Sequence, residues 1–147
     1  MITVVTGPPC AGKSTYVRGW AEKGDIIIDM DAMASAMTPF LDDEHDYPHH
    51  VRMVAREARK VAVRTALSIG QTMRENVWVI HTSPDRESMR RYRSFNARIK
   101  TIDPGRDVCL ARLAERPKGQ HVKTRRVIDD WYHGRCWVGT TVSDTCG

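Results

Sequence analysis

Residues 7–14 read Gly7-Pro8-Pro9-Cys10-Ala11-Gly12-Lys13-Ser14, an unbroken G-x-x-x-x-G-K-S, and no other segment constrains the chain as strongly. The motif follows the β-branched run Ile2-Thr3-Val4-Val5-Thr6 and precedes a stretch with helical spacing. A strand, a glycine-rich turn and a helix start in that order make a phosphate-binding loop. Gly7 and Gly12 let the backbone curl so that successive N–H groups point inward, and the helix adds its positive end. Lys13 is placed for β- and γ-phosphates, the Ser14 hydroxyl for Mg²⁺, and Thr15 for the α-phosphate. Together with Cys10 and Ala11, these residues predict a nucleoside triphosphate site, with ATP and Mg²⁺ as its expected occupants.

The 147 residues carry 41% hydrophobic and 28% charged side chains, the balance of a globular protein. No apolar run approaches the roughly 20 residues that span a bilayer. The chain enters its first strand at once, so no secretory leader is expected and a cytoplasmic location is. Cys10, Cys109, Cys136 and Cys146 form no C-x-x-C pair, which points to reduced thiols over a disulfide framework. His121, His133, Cys136 and Cys146 have irregular spacing for zinc. The net charge of +5 is uneven: Arg86 to Arg126 carries +9 and the remainder −4. Such a bipolar chain favours an acidic partner on one face, a nucleic acid or nucleotide, over an evenly solvated surface.

Apolar runs alternate with helical periodicity. Strands are predicted at Ile2 to Thr6, Asp25 to Asp29, Val77 to Ile80 and Ile99 to Ile102. Helices are predicted over Lys13 to Glu22, Asp31 to Met37, His49 to Ser68, Asp85 to Asn96, Asp107 to Arg116 and Val122 to Tyr132. Gly70 is read as closing the long third helix. Residues 38–48 form a polar connector whose acids and His45, with His49 and His50, read as a solvated loop more than a metal site. The pattern specifies an α/β P-loop NTPase-type three-layer sandwich. A parallel sheet of four strands, or five, carries helices on both faces, in one domain over 1–147. Ligands of such sheets bind at the C-terminal strand ends.

The reaction is narrowed by three features. The third strand ends in Val79-Ile80-His81-Thr82, with no acid in the Walker-B place, and no N-K-x-D is present, which argues against switch and motor NTPases. Asp31, in Asp29-Met30-Asp31, lies across the cleft from the phosphate loop, where it is a candidate base as well as a helix cap; Asp29 reads as a supporting group. Arg112 and Arg116 share a helix face just before Pro117 and Gly119, which marks a lid of about 116–121 able to clamp phosphoryl charge.

Gly7 to Thr15, Ile27 to Asp31, Thr82-Ser83-Pro84-Asp85-Arg86 and Arg112 to Arg116 come in an order that resembles the small P-loop kinases, most closely the 5′-kinase domains of phage polynucleotide kinases. The resemblance implies a tunnel-like acceptor site, with Asp31 as general base, Lys13 as the phosphate-stabilising lysine and Arg116 as the lid arginine assisted by Arg112. It departs at Ala34, where the family has an acceptor-binding arginine, and at His81 and Thr82, where that arginine's aspartate partner is missing. The expected activity is transfer of the γ-phosphoryl of ATP to a hydroxyl of nucleic acid. The basic Arg86 to Arg126 region would hold acceptor phosphates, and Tyr92 and Phe95 read as base-stacking or core groups. Nucleoside, nucleotide, modified-base or small-molecule kinases, and a nucleotide-dependent assembly ATPase, stay open as alternatives.

Overall fold

The computed structural model describes residues 1–42 and 45–134; Asp43, Glu44 and residues 135–147, with Cys136, Trp137 and Cys146, lie outside the described residues. Four strands form one parallel sheet: β1 Ile2–Thr6, β2 Ile26–Ile28, β3 Val77–Ile80 and β4 Arg98–Thr101, in the order β2-β3-β1-β4. β1 runs at the centre, pairing Val4 with Val79 on one side and with Ile99 on the other. All five residues of β1 are buried, which is why its apolar pattern is continuous instead of alternating. No fifth strand occurs among the described residues.

The helices are α1 Lys13–Trp20, α2 Met30–Met37, α3 His49–Thr72, α4 Arg86–Ser94, α5 Arg106–Ala114 and α6 His121–Tyr132, with a 3₁₀ turn at Lys118–Gln120. α3 and α4 cover one face of the sheet, where Val63, Leu67, Met89 and Tyr92 pack on Val4, Val77 and Val79. α1 covers the other face through Val17 against Val5 and Ile80. α5 and α6 close beside the phosphate loop, with Cys109, Leu113 and Ile128 on Cys10 and Ala11. Helices on both faces of a parallel sheet complete the three-layer sandwich. Among the described residues no helix is long and apolar enough to cross a membrane.

Most element ends shift by one or two residues from the sequence reading, and α3 and α2 show the physical reason. α3 continues through Gly70 to Thr72, because Gly70 is a packing residue and not a helix stop. A Cβ there would stand 2.9 Å from Val77 Cγ2 and 3.0 Å from Ile2 Cγ1, so the missing side chain lets α3 lie close on the sheet. α2 begins at Met30, one residue early, because its cap is Asp29: the Asp31 backbone N–H donates to Asp29 Oδ1 at 3.1 Å. Asp31 is therefore inside the first turn, with its carboxylate released from capping.

Gly70 and Gly19 give substitutions of opposite sign. Gly19 lies in α1 with nothing within 4 Å of its would-be Cβ, so Gly19→Ala should stabilise by about 0.5–1 kcal/mol. Gly70→Ala should instead cost a net of about 1–2 kcal/mol through overpacking. Urea unfolding midpoints at unchanged slope check both signs.

Candidate active site

The loop between β1 and α1 is shaped by what cannot fit. Gly7 has φ 143°, and a Cβ there would overlap the Ile102 carbonyl oxygen. Cys10 and Gly12 both take positive φ, 63° and 92°, to turn the chain into α1. Inside the loop the buried Lys13 Nζ donates to the carbonyls of Gly7 at 2.9 Å and Pro8 at 2.7 Å. Desolvation is the main reason its pKa falls to about 8; Cys10, Cys109, Asp29 and Asp31 pull it back up. Arg112 reaches in from α5, donating from Nη1 to the Cys10 carbonyl at 3.1 Å. Burial pushes the Cys10 thiol up, against the opposing pull of Arg116, Lys13 and Arg112, three cations gathered around one loop. The chemistry of this cradle is that of a polyphosphate site. Thr15 is exposed at the start of α1.

Asp29 has a second task that its place in the sequence does not disclose. Ser14 Oγ donates to Asp29 Oδ2 at 2.9 Å, so a carboxylate from the end of β2 stands beside the phosphate-loop hydroxyl. The two hard oxygens fit Mg²⁺, which needs only one or two protein ligands when phosphates and water supply the rest. P-loop folds of this kind bind nucleoside triphosphates with Mg²⁺, and Ser14 and Asp29 are the groups here that would hold it. Among the described residues no cluster of three or more His, Cys, Asp or Glu could hold a metal alone. The Cys136 and Cys146 part of the zinc spacing lies outside the described residues.

Asp31 is held from both sides by the connector. Tyr47 donates its hydroxyl to Asp31 Oδ1 at 2.8 Å, and His45 Nδ1 lies 3.3 Å from Oδ2. Burial raises the Asp31 pKa, but hydrogen bonds from His45 and Tyr47 and the charges of His45 and Arg116 outweigh it. The net effect holds the carboxyl below its ordinary value. The Tyr47 hydroxyl is driven the other way, mainly by burial and then by the neighbouring Asp31 charge, so it remains a donor. Tyr47 packs on the fully buried Ala34 and on Ala55, and the Arg52 guanidinium lies 5.3 Å from its ring centre. The alanine three residues after Asp31 thus makes room for the tyrosine. Tyr47 and His45 as partners of Asp31 were missed by the sequence reading; a Tyr and a His in a polar connector were its only signal.

The strand-three end is occupied as well. His81 Nδ1 lies 2.8 Å from the Tyr92 hydroxyl, edge-on to its ring. Burial, with the Arg59 charge, lowers its pKa to about 4, so this imidazole is neutral near pH 7. Tyr92 is 2% exposed and belongs to the core, which removes it as a base-stacking platform; Phe95 packs against the same core. The Arg86 to Arg126 cations do not form one surface. Arg86 and Arg90 are exposed on α4, Arg106 pairs with Asp129 at 2.8 Å, and Arg112 serves the phosphate loop. Arg116, Pro117, Gln120 and His121 line a small cavity together with His45, so residues 116–121 meet the connector.

A family model described as an AAA domain matches residues 2–133. No curated protein matches the chain in sequence. Among solved structures, one described as the Pnkp1/Rnl/Hen1 RNA repair complex contains a chain similar in fold. Its TM-score is 0.55 and its identity 16%, over 88% of this chain and 45% of that one. This chain therefore spans less than half of that neighbour's length. The resemblance to small P-loop kinases holds at the level of fold.

The Asp31 clamp sets a titration test. A depressed carboxyl pKa contributes stability that is present above the ordinary carboxylate value and lost as pH falls through the folded pKa. Tyr47→Phe removes one donor, so the Asp31 pKa should rise, the contribution should shrink and its loss should be complete at higher pH. Carboxyl carbon-13 titration of wild type and variant reads the shift, and an unchanged Asp31 midpoint would refute the clamp.

Proposed function

The chain belongs to the AAA-domain family, and from that premise we propose that it is an ATP-dependent kinase whose acceptor is a hydroxyl of nucleic acid, a 5′-hydroxyl in the first instance. One observation carries the reading. A carboxylate kept ionised, Asp31, shares a cleft with the phosphate loop, within the fields of both Lys13 and Arg116. An ATPase needs a positioned water; a carboxylate fixed by two side-chain donors beside the lid suits an acceptor hydroxyl.

In this mechanism Gly7, Cys10, Ala11, Gly12, Lys13, Ser14 and Thr15 bind the triphosphate, with Arg112 bracing the loop. Ser14 and Asp29 would hold Mg²⁺, which when bound would supply neutralisation of triphosphate charge. The acceptor hydroxyl takes the place of His45 at Asp31 Oδ2, while Tyr47 keeps Oδ1 and fixes the carboxylate's orientation. Asp31 receives the hydroxyl proton as the oxygen attacks the γ-phosphorus, and the bond to the ADP oxygen breaks in line. Arg116, carried on the lid at 116–121, covers the equatorial oxygens. Arg116 also supports the depressed Asp31 pKa, so closure would order both at once.

Family membership favours one second reading, a nucleotide-dependent ATPase in a larger assembly. The two part on acceptor dependence. The kinase should consume ATP in proportion to added hydroxyl substrate, whereas the assembly ATPase should turn over without it.

The test is transfer of γ-labelled phosphate from ATP to a 5′-hydroxyl oligonucleotide, beside nucleosides and nucleotides. Asp31→Asn keeps an acceptor for Tyr47 but loses the base, so kcat should fall about 10²–10⁴-fold with ATP binding retained. Lys13→Ala should lose both ATP affinity and transfer. Label found only on mononucleosides would redirect the acceptor, and acceptor-independent hydrolysis would favour the ATPase.

A further inference from the structure

The cations of α3 are arranged differently on its two sides. Arg59 is spent inside the protein, donating to the Ile80 carbonyl at 2.9 Å, and Lys60 pairs with Glu57 at 2.7 Å. Arg52 and Arg56, one turn apart on the side nearest the connector, have no carboxylate partner among the described residues. Lys123, exposed in the first turn of α6, joins them. Its pKa is lowered by partial burial and then by the charges of Arg52 and Arg56, and no described carboxylate offsets them. Three like charges from two elements far apart in sequence therefore converge on one rim. Like-charge clusters cost stability, and they persist where an anion relieves them.

The position of this rim matters more than its charge. Arg52 lies over the Tyr47 ring, and the Tyr47 hydroxyl binds Asp31, so one tyrosine separates the first cation from the carboxylate. Lys123 is next to Thr124, which lines the cavity shared by His45 and Arg116. The cluster thus begins at the mouth of the cleft and leads away from it.

We propose that Arg52, Arg56 and Lys123 form a binding subsite for the backbone phosphates of a single-stranded nucleic acid whose terminal hydroxyl is seated at Asp31. The inference rests on the nucleic-acid reading of the active site and adds where the strand runs: from Asp31 past Tyr47, then between α3 and α6. Successive phosphates would replace the mutual repulsion of the three cations with charge-assisted hydrogen bonds. The subsite carries no base recognition, so it supplies affinity and direction without sequence preference.

The test uses the full chain and a 3′-fluorescein 20-mer with a free 5′-hydroxyl, beside a dinucleotide. Arg56→Ala/Lys123→Ala keeps Arg52, which covers Tyr47, and alters only exposed side chains. The KM for the 20-mer should rise about tenfold with kcat and the dinucleotide KM unchanged, because the chemistry at Asp31 is untouched. In anisotropy the slope of log affinity against log salt should shrink by about 1.4, two single-strand phosphate contacts. Arg86→Ala/Arg90→Ala removes the same charge from α4 and should leave both readings near wild type. Equal losses from the two pairs would indicate diffuse attraction and overturn the subsite, as would a 20-mer KM within twofold of wild type. A wild-type protein that binds the 20-mer through these residues but does not phosphorylate it would uphold the subsite and refute the kinase reading. One that does neither would refute both.

Discussion

Asp29 ties the two halves of the site together. One carboxylate oxygen accepts from the Asp31 backbone at 3.1 Å and starts α2, while the other accepts from Ser14 Oγ at 2.9 Å in the first turn of α1. The end of β2 and the phosphate loop sit on strands that are not neighbours, since β3 lies between β2 and β1. A single side chain thus sets the spacing between the helix that cradles phosphate and the helix that presents Asp31. Its geometry depends on β2 ending where it does, and β2 is held by its register with β3, Ile28 opposite Val79. The short strand of three residues is enough because its inner end is anchored through this carboxylate.

The local features were legible in the sequence, and those made over distance were not. The phosphate loop, the β/α alternation and the two-sided helix coverage follow from glycine placement and hydrophobic period, which act within a few residues. The cap of α4 is local too, yet the sequence reading put Asp85 inside the helix, whereas its carboxylate takes the Ser88 N–H at 2.8 Å from the cap position. The role of Gly70 was misread because a helix stop and a close helix–sheet approach use the same residue, and only Ile2 and Val77 decide between them. Asp29 and Asp31 were both acids at a strand end; which one caps turned on a one-residue shift of α2. Tyr47 and His45 gave only the weak signal of a Tyr and a His in a polar connector, since their value lies in reaching a carboxylate many residues earlier across a segment without periodicity.

Charge in the cleft is arranged to be completed from outside. Lys13, Arg112 and Arg116 crowd the loop around Cys10, and the lysine donates to the carbonyls of Gly7 and Pro8. Its pKa is lowered because burial strips the ammonium of water, only partly offset by Cys10, Cys109, Asp29 and Asp31. Opposite it, Asp31 is kept anionic by the connector and by Arg116. The two sides therefore polarise the cleft in opposite senses, a division that the proposed phosphoryl transfer to a hydroxyl would use.

On the proposed reading, acceptor selection falls to parts of the chain outside the sheet. The sheet and its loops position Lys13 and Ser14, whereas the surroundings of Asp31 come from the connector at 45–47 and, through Arg52, from the first turn of α3. Ala34 shows how such a change is accommodated: a fully buried small residue opens a space, Tyr47 fills it, and Arg52 covers the ring from α3. The cation near Asp31 is thereby supplied by α3. His81 follows the same logic at the end of β3, where Tyr92 binds its Nδ1 and burial keeps it neutral. An acid lost there leaves no uncompensated arginine behind, because α2 carries none. Both departures from the kinase pattern are filled by a tyrosine, Tyr47 beside Ala34 and Tyr92 beside His81.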